Sequence, residues 1–205
     1  MRCLQKELIA NLKKITMKKL ICRLFIPILI SSVIVGVWGC SKNDNPATPA
    51  PPVTLKLGDS YQGGIIFNLD ASGKHGLIAA TSDQSRLTSW WNGSFVSTGA
   101  NSATDGAVNT TKIIQAQGNS VSYAAKICRD YRGGGYADWF LPAKDQLNLL
   151  YQQKNIVGGF GDEIYWTSTE ISTADAWVQY FKDGQQWSDN TSDGATVGTR
   201  AIRAF

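Results

Sequence analysis

The chain has 205 residues, 43% of them hydrophobic and 18% charged, with a formal net charge of +4. Its basic excess sits at the front: seven of the 20 Lys and Arg, but one of the 16 Asp and Glu, precede Cys40, so the remainder carries a charge of −2. A nucleic-acid partner is therefore not implied, and the length after Cys40 suits one domain with a full core.

In chain order, the first feature begins at Met17. Lys18, Lys19 and Arg23 precede an apolar run from Leu24 to Trp38, followed by Gly39-Cys40. A basic segment, an apolar segment and a small residue before a cut are the parts of a secretory signal. The run is broken by Pro27 and is short of the ~20 apolar residues that a spanning helix needs. Val37-Trp38-Gly39-Cys40 resembles the lipobox of bacterial lipoproteins, although Trp38 is bulkier than the residue usual there. That resemblance implies cleavage before Cys40, lipid on its thiol and a membrane as partner. By analogy with lipoprotein sorting, Ser41 points to an outer membrane lipoprotein, facing the periplasm or the cell surface. Residues 1–16 read as an upstream start or an extended basic segment, so 1–39 is signal. Residues 40–52, with Pro46, Pro49, Pro51 and Pro52, read as an extended tether. Cys3 and Cys22 leave with the signal and Cys40 takes lipid, so Cys128 remains alone. It is expected to be a buried apolar residue on a helix. With His75 as the one histidine, a zinc site of the usual nitrogen and sulfur type is not assembled.

The domain is expected over 53–205. Tyr61 to Leu69 reads as a strand, Asp70 to Gly76 as a turn and Leu77 to Ala80 as its hairpin partner. Ser82 to Asp105 is a polar, Gly-rich loop holding Trp90, Trp91 and Phe95. A helix starting near Thr104 or Asp105 carries Val108, Ile113 and Ile114. A second is expected from Ser120, as N-cap, to Arg132, with Ala124, Ile127, Cys128 and Tyr131 on one face and a stop at Gly133-Gly134-Gly135. A third follows Pro142 and turns Leu147, Leu150 and Tyr151 to one side. Beyond Gly158-Gly159 come strands at Ile164 to Ser168, Ala176 to Phe181, Gln185 to Ser188 and Val197 to Phe205. Helices held mid-chain between runs of hairpin strands predict an α+β fold with an antiparallel sheet. The first and last strands are expected to pair, closing the domain beside its tether.

Three stretches, taken together and in order, resemble a known family. Gly135-Tyr136-Ala137-Asp138-Trp139-Phe140-Leu141-Pro142 and the residues through Leu147 are similar to the signature of the Lcl C-terminal domain family, a domain of unknown function from a collagen-like bacterial adhesin. Tyr165-Trp166-Thr167-Ser168-Thr169-Glu170 and Arg200-Ala201-Ile202-Arg203 look like its later strands. The resemblance covers Gly58 to Phe205. It implies a C-type-lectin-like fold, with two to three helices mid-chain, and an adhesin-type role; the family's named member binds sulfated glycans. No collagen-like repeat precedes the domain here, so trimerisation is not implied. Ala143 and Gln146 replace the family's hydroxyl residue and glutamate, which removes the hydroxyl of a capping box and is expected to cost about 1 kcal/mol.

Within these motifs, Trp139, Leu141, Tyr165 and Trp166 read as core, and Pro142 as the first residue of its helix. Asp138, Glu170, Arg200 and Arg203 read as structural ion pairs joining the two halves of the fold, because charges at such positions need partners. No catalytic constellation is evident. Cys128 alone does not supply the redox cysteine arrangement of the sulfatase-modifying relatives, His75 lies in a turn, and nothing singles out Asp162-Glu163 as an acid–base pair. The candidate ligand-binding residues are Trp90, Trp91, Trp187, Asp189 and Asn190. Aromatic faces beside amide and carboxylate groups are the chemistry of sugar binding. Asp189, Asn190 and Asp193 could offer oxygen ligands to calcium, yet the loop lacks both the EF-hand glutamate and the paired motif of calcium lectins, so no metal or other cofactor is expected. The sequence thus reads as a non-enzymatic glycan-binding or adhesin-type domain. The alternative is a structural or assembly component of a surface appendage or envelope complex that binds protein only.

Overall fold

A computed structural model describes residues 54–161, 163–193 and 196–205. The signal, Cys40, the Pro-rich tether, Asp162 and Gly194 lie outside the described residues. Eight strands form two four-stranded sheets: β1 (Ser60–Tyr61), β2 (Gly64–Leu69), β3 (Gly76–Ala79) and β8 (Ile202–Ala204) in one, and β6 (Gln186–Asn190), β5 (Asp175–Tyr180), β4 (Ile164–Glu170) and β7 (Val197–Gly198) in the other, each in that spatial order. All pairings are antiparallel except β4 with β7. Between β3 and β4 come α1 (Gly106–Gln117), α2 (Ala124–Asp130), a 3-10 turn (Gly133–Gly135), α3 (Lys144–Gln152) and the short α4 (Lys154–Val157). The expected α+β class with mid-chain helices is what the chain forms, but the strands make two sheets where one antiparallel sheet was expected, and the second includes the parallel pair β4 and β7.

The alternation of β4 and β5 explains how the core divides. Trp166 lies opposite Val178, and both join a cluster with Trp90, Ile113, Tyr123, Cys128 and Trp139. Tyr165 points the other way, with Phe67, Leu147, Leu150 and Phe181. Residues one apart on a strand face opposite sides, so this sheet is buried on both faces. That burial accounts for the absence of polar alternation in Tyr165-Trp166-Thr167-Ser168, all of which are buried. Trp139, Leu141, Tyr165 and Trp166 are fully buried, as expected of them.

Local expectations needed four corrections. The strand read from Tyr61 to Leu69 is broken at Gln62-Gly63, and β1 and β2 pair across that turn. Gly63 has φ 87°, and a Cβ on it would lie 2.5 Å from the Gly134 nitrogen. Glycine there lets the hairpin turn press against the 3-10 turn. The second helix starts at Ala124 rather than after Ser120, with no side-chain cap. The Ala124 N–H donates to the Ser89 carbonyl at 3.0 Å, so a distant loop takes the capping role.

Pro142 does not open α3; Ala143 is the N-cap and Lys144 the first helical residue. The missing hydroxyl is replaced from elsewhere: the Lys144 N–H donates to Thr169 Oγ1 at 3.0 Å, and Gln146 Oε1 accepts from the N–H groups of Ala143 and Gly106, each at 3.0 Å. Finally, the last strand, read as Val197 to Phe205, is broken into β7 and β8 in different sheets, and β8 pairs with β3 and not with the first strand, which leaves β1 at an edge.

Candidate functional site

The loop from Ser82 to Asp105 is held at several points. Trp90 Nε1 donates to the Thr167 carbonyl at 2.8 Å, and Trp166 Nε1 donates in return to the Thr88 carbonyl at 2.7 Å. The Trp90 N–H donates to the Thr191 carbonyl at 3.0 Å, tying this loop to the residue after β6. Trp90 is 1% exposed, within the main core cluster. It cannot offer a ring face to a ligand, so its assignment as a binding residue is corrected: it anchors the loop. The physical reason is that both ends of its indole, the apolar rings and the N–H, find partners inside the protein.

Its neighbour differs. Trp91 is half-buried and stacks on Phe95 with ring centroids 4.2 Å apart and planes 29° from parallel; Phe95 is 52% exposed. Asn92 lies between them in sequence, its side-chain amide donating to the Gln117 carbonyl at the end of α1 and its Oδ1 accepting from the Ser94 N–H. Phe95 was not among the sequence candidates. Its signal was its spacing from Trp91 within a polar loop.

On β6, Trp187 pairs with Val178 and is half-buried against the same core cluster, with Tyr180 edge-on to it at 6.5 Å. It packs inward more than it presents. Asp189 is half-buried, and Asn190 is exposed. Burial raises the pKa of Asp189 above the ordinary carboxylate value, a hydrogen bond from the Asn190 N–H works against that, and Asp193 and Asp175 add to the rise. Asn190 Oδ1 accepts from both the N–H and the hydroxyl of Ser192. Among the described residues, no group of three or more His, Cys, Asp or Glu side chains is arranged to hold a metal ion.

The four charged motif residues divide into three roles. Arg203 pairs with Asp138, and its guanidinium lies 3.9 Å from the Tyr136 ring centroid. This joins β8 to the segment before α3, as the sequence suggested. Arg200 is fully buried, and its Nε lies 2.6 Å from Oδ1 of Asp83. Its other donors reach the carbonyls of Ala80 at 3.0 Å and Gly159 at 2.7 Å, while the Tyr165 hydroxyl donates to Asp83 Oδ2 at 3.1 Å. Asp83, a partner 117 positions away, left no trace in the motif pattern. Glu170 forms no ion pair among the described residues, which corrects that assignment. Its two carboxylate oxygens accept the N–H groups of Thr98 and Gly99, each at 2.8 Å, so it pins a loop.

The groups that catalysis would draw on are placed as follows. Cys128 is buried in α2, and burial pushes its thiol pKa up, which keeps it protonated. His75 is exposed in the Asp70 turn. Glu163 faces Arg86 at 3.0 Å. A tryptophan that the sequence reading passed over, Trp177, lies under the Lys144 ammonium at 3.6 Å. Its inward-outward alternation with Ala176 and Val178 could have found it. Compared with family models and with curated proteins, the chain matches none.

Proposed function

We propose that the chain is a lipid-anchored protein of the cell envelope whose domain, C-type-lectin-like in kind, binds a glycan without catalysing a reaction. The observation that carries this reading is the Trp91–Phe95 pair: two stacked aromatics at 4.2 Å, one of them half-exposed, in a polar loop. Aromatic faces take the C–H faces of a sugar. The loop that bears the pair is fixed from below by Trp90 and Glu170, so little ordering would oppose binding. The motif resemblance at Gly135 to Leu147, Tyr165 to Glu170 and Arg200 to Arg203 supports the lectin-like and adhesin-type part, and Val37 to Cys40 supports the anchor.

A glycan array probed with the full chain and with Trp91→Ala tests this reading. Binding by the parent and its loss in a folded Trp91→Ala protein is the expected result; equal binding by both refutes it.

One observation favours a second reading, in which the domain is an assembly component that binds protein. The order β6-β5-β4-β7 leaves β6 with an unpaired edge, and Ser188 and Asn190 on it are exposed. A free edge can accept a strand from another chain. Protein cross-linking from a photoreactive residue at Ser188, with no glycan captured by the array, would favour it.

A further inference from the structure

A second surface, sharing no residue with the aromatic loop, carries an assignment of its own. Between α1, α2 and the segment before α3 lies a shallow cleft of about 410 Å³. Its apolar wall is Ala107, Val108 and Phe140, and its polar lining includes Lys112, Arg129 and Asp138. Val108 is 46% exposed, an apolar side chain held at the surface.

The charges do not cancel. Asp138 is taken by Arg203. Lys112 donates to the Gly99 carbonyl at 2.9 Å, and Arg129 to the Thr111 hydroxyl at 2.9 Å. Among the described residues neither cation has a carboxylate partner, and Arg129 Nε is buried without an acceptor. A guanidinium carries five N–H donors in a planar fork suited to a carboxylate. Here it is held against a neutral hydroxyl beside an apolar surface, and the Lys112 ammonium adds a second positive charge.

We propose that this cleft binds a small organic acid: one carboxylate, set against Arg129 and Lys112, on an apolar body resting on Val108 and the edge of Phe140. The volume lies within the range of small-molecule sites, and apolar walls with few polar groups suit a monoanion better than a sugar. Arg129 sits in the last turn of α2, where the helix dipole favours a cation.

Calorimetric titration of the full chain with phenylacetate, and with its neutral isostere phenylacetamide, tests the assignment. Phenylacetate is expected to bind, and the amide about tenfold more weakly or worse, because it loses the charge-assisted hydrogen bonds. Arg129→Gln should weaken phenylacetate binding about tenfold or more. Because that change could disturb α2, Lys112→Gln and Val108→Asp serve alongside it, both at accessible positions on α1. Each should weaken the acid while leaving the thermal melt unchanged. No heat of binding up to about 20 mM phenylacetate, far weaker than a formed site would give, overturns the proposal. So does equal binding of acid and amide, or unaltered binding in both α1 variants. Trp91→Ala leaves this cleft intact, so failure of the glycan reading and failure of this one are separately visible.

Discussion

Trp90 and Trp91 are adjacent in sequence, and alanine substitution should separate them sharply. Trp90→Ala removes a side chain that is 1% exposed in the main core cluster. A cavity of that kind costs about 3–5 kcal/mol. It also deprives the buried Thr167 carbonyl of the indole N–H at 2.8 Å, a further cost of about 1–3 kcal/mol. The total is about 4–8 kcal/mol, which for a domain of this size lowers the melting temperature by roughly 8–32 °C. Trp91→Ala removes a half-buried ring and its stack on Phe95, the stack adding about 0.5–1.5 kcal/mol to the partial burial, so its cost should fall well below that of Trp90→Ala. Urea unfolding of the full chain, followed by far-UV circular dichroism with the slope held common, reads both values. Trp166→Ala, fully buried, is the heavy control. A Trp90→Ala protein as stable as Trp91→Ala would refute the assignment of Trp90 to the core. A Trp91→Ala protein as unstable as Trp166→Ala would remove the physical basis for treating that ring as a ligand surface.

Four further outcomes are expected. Asp83→Asn leaves the Arg200 charge buried without its carboxylate, so urea unfolding should show a loss of about 3–5 kcal/mol; a loss below about 1 kcal/mol, typical of surface pairs, would contradict the buried pairing. For Asp189, whose folded pKa is raised above 3.8, the native state binds the proton more tightly than the unfolded one. Its contribution is therefore present below the unfolded pKa and lost as pH rises through the folded one. Urea midpoints of Asp189→Asn relative to the parent should accordingly improve on going from pH 4 to pH 7, and a constant difference would refute this. Cys128 should react with thiol reagents only after denaturation, since it is fully buried; mass spectrometry showing rapid labelling of the folded chain would overturn that. Cys40→Ser should abolish incorporation of a clickable fatty acid in cells, and continued labelling would remove the lipid anchor from the proposal.

Much of the architecture was legible because it is local. The apolar spacing of Val108, Ile113 and Ile114 behind Asp105 placed α1, and Asp105 does cap it, its carboxylate accepting the Val108 N–H at 2.9 Å. The Asp70 turn was equally readable, since one short carboxylate organises its own neighbours, Ser72 first among them. Side-chain burial within the aromatic motifs followed from size and apolarity at Trp139, Leu141, Tyr165 and Trp166.

What the sequence could not decide were the contacts that close over long loops. The partner of Arg200 is Asp83, the start of α2 is set by Ser89, and the start of α3 borrows the hydroxyl of Thr169. Each of these is a hydrogen bond whose second half lies many residues away, so no spacing within a motif encodes it. The contrast between Trp90 and Trp91 has the same origin. Both are large indoles in one polar loop, with equal claims by composition. Only the packed positions of Thr167 and Thr191 determine that Trp90 turns inward. Its neighbour is left at the surface with Phe95.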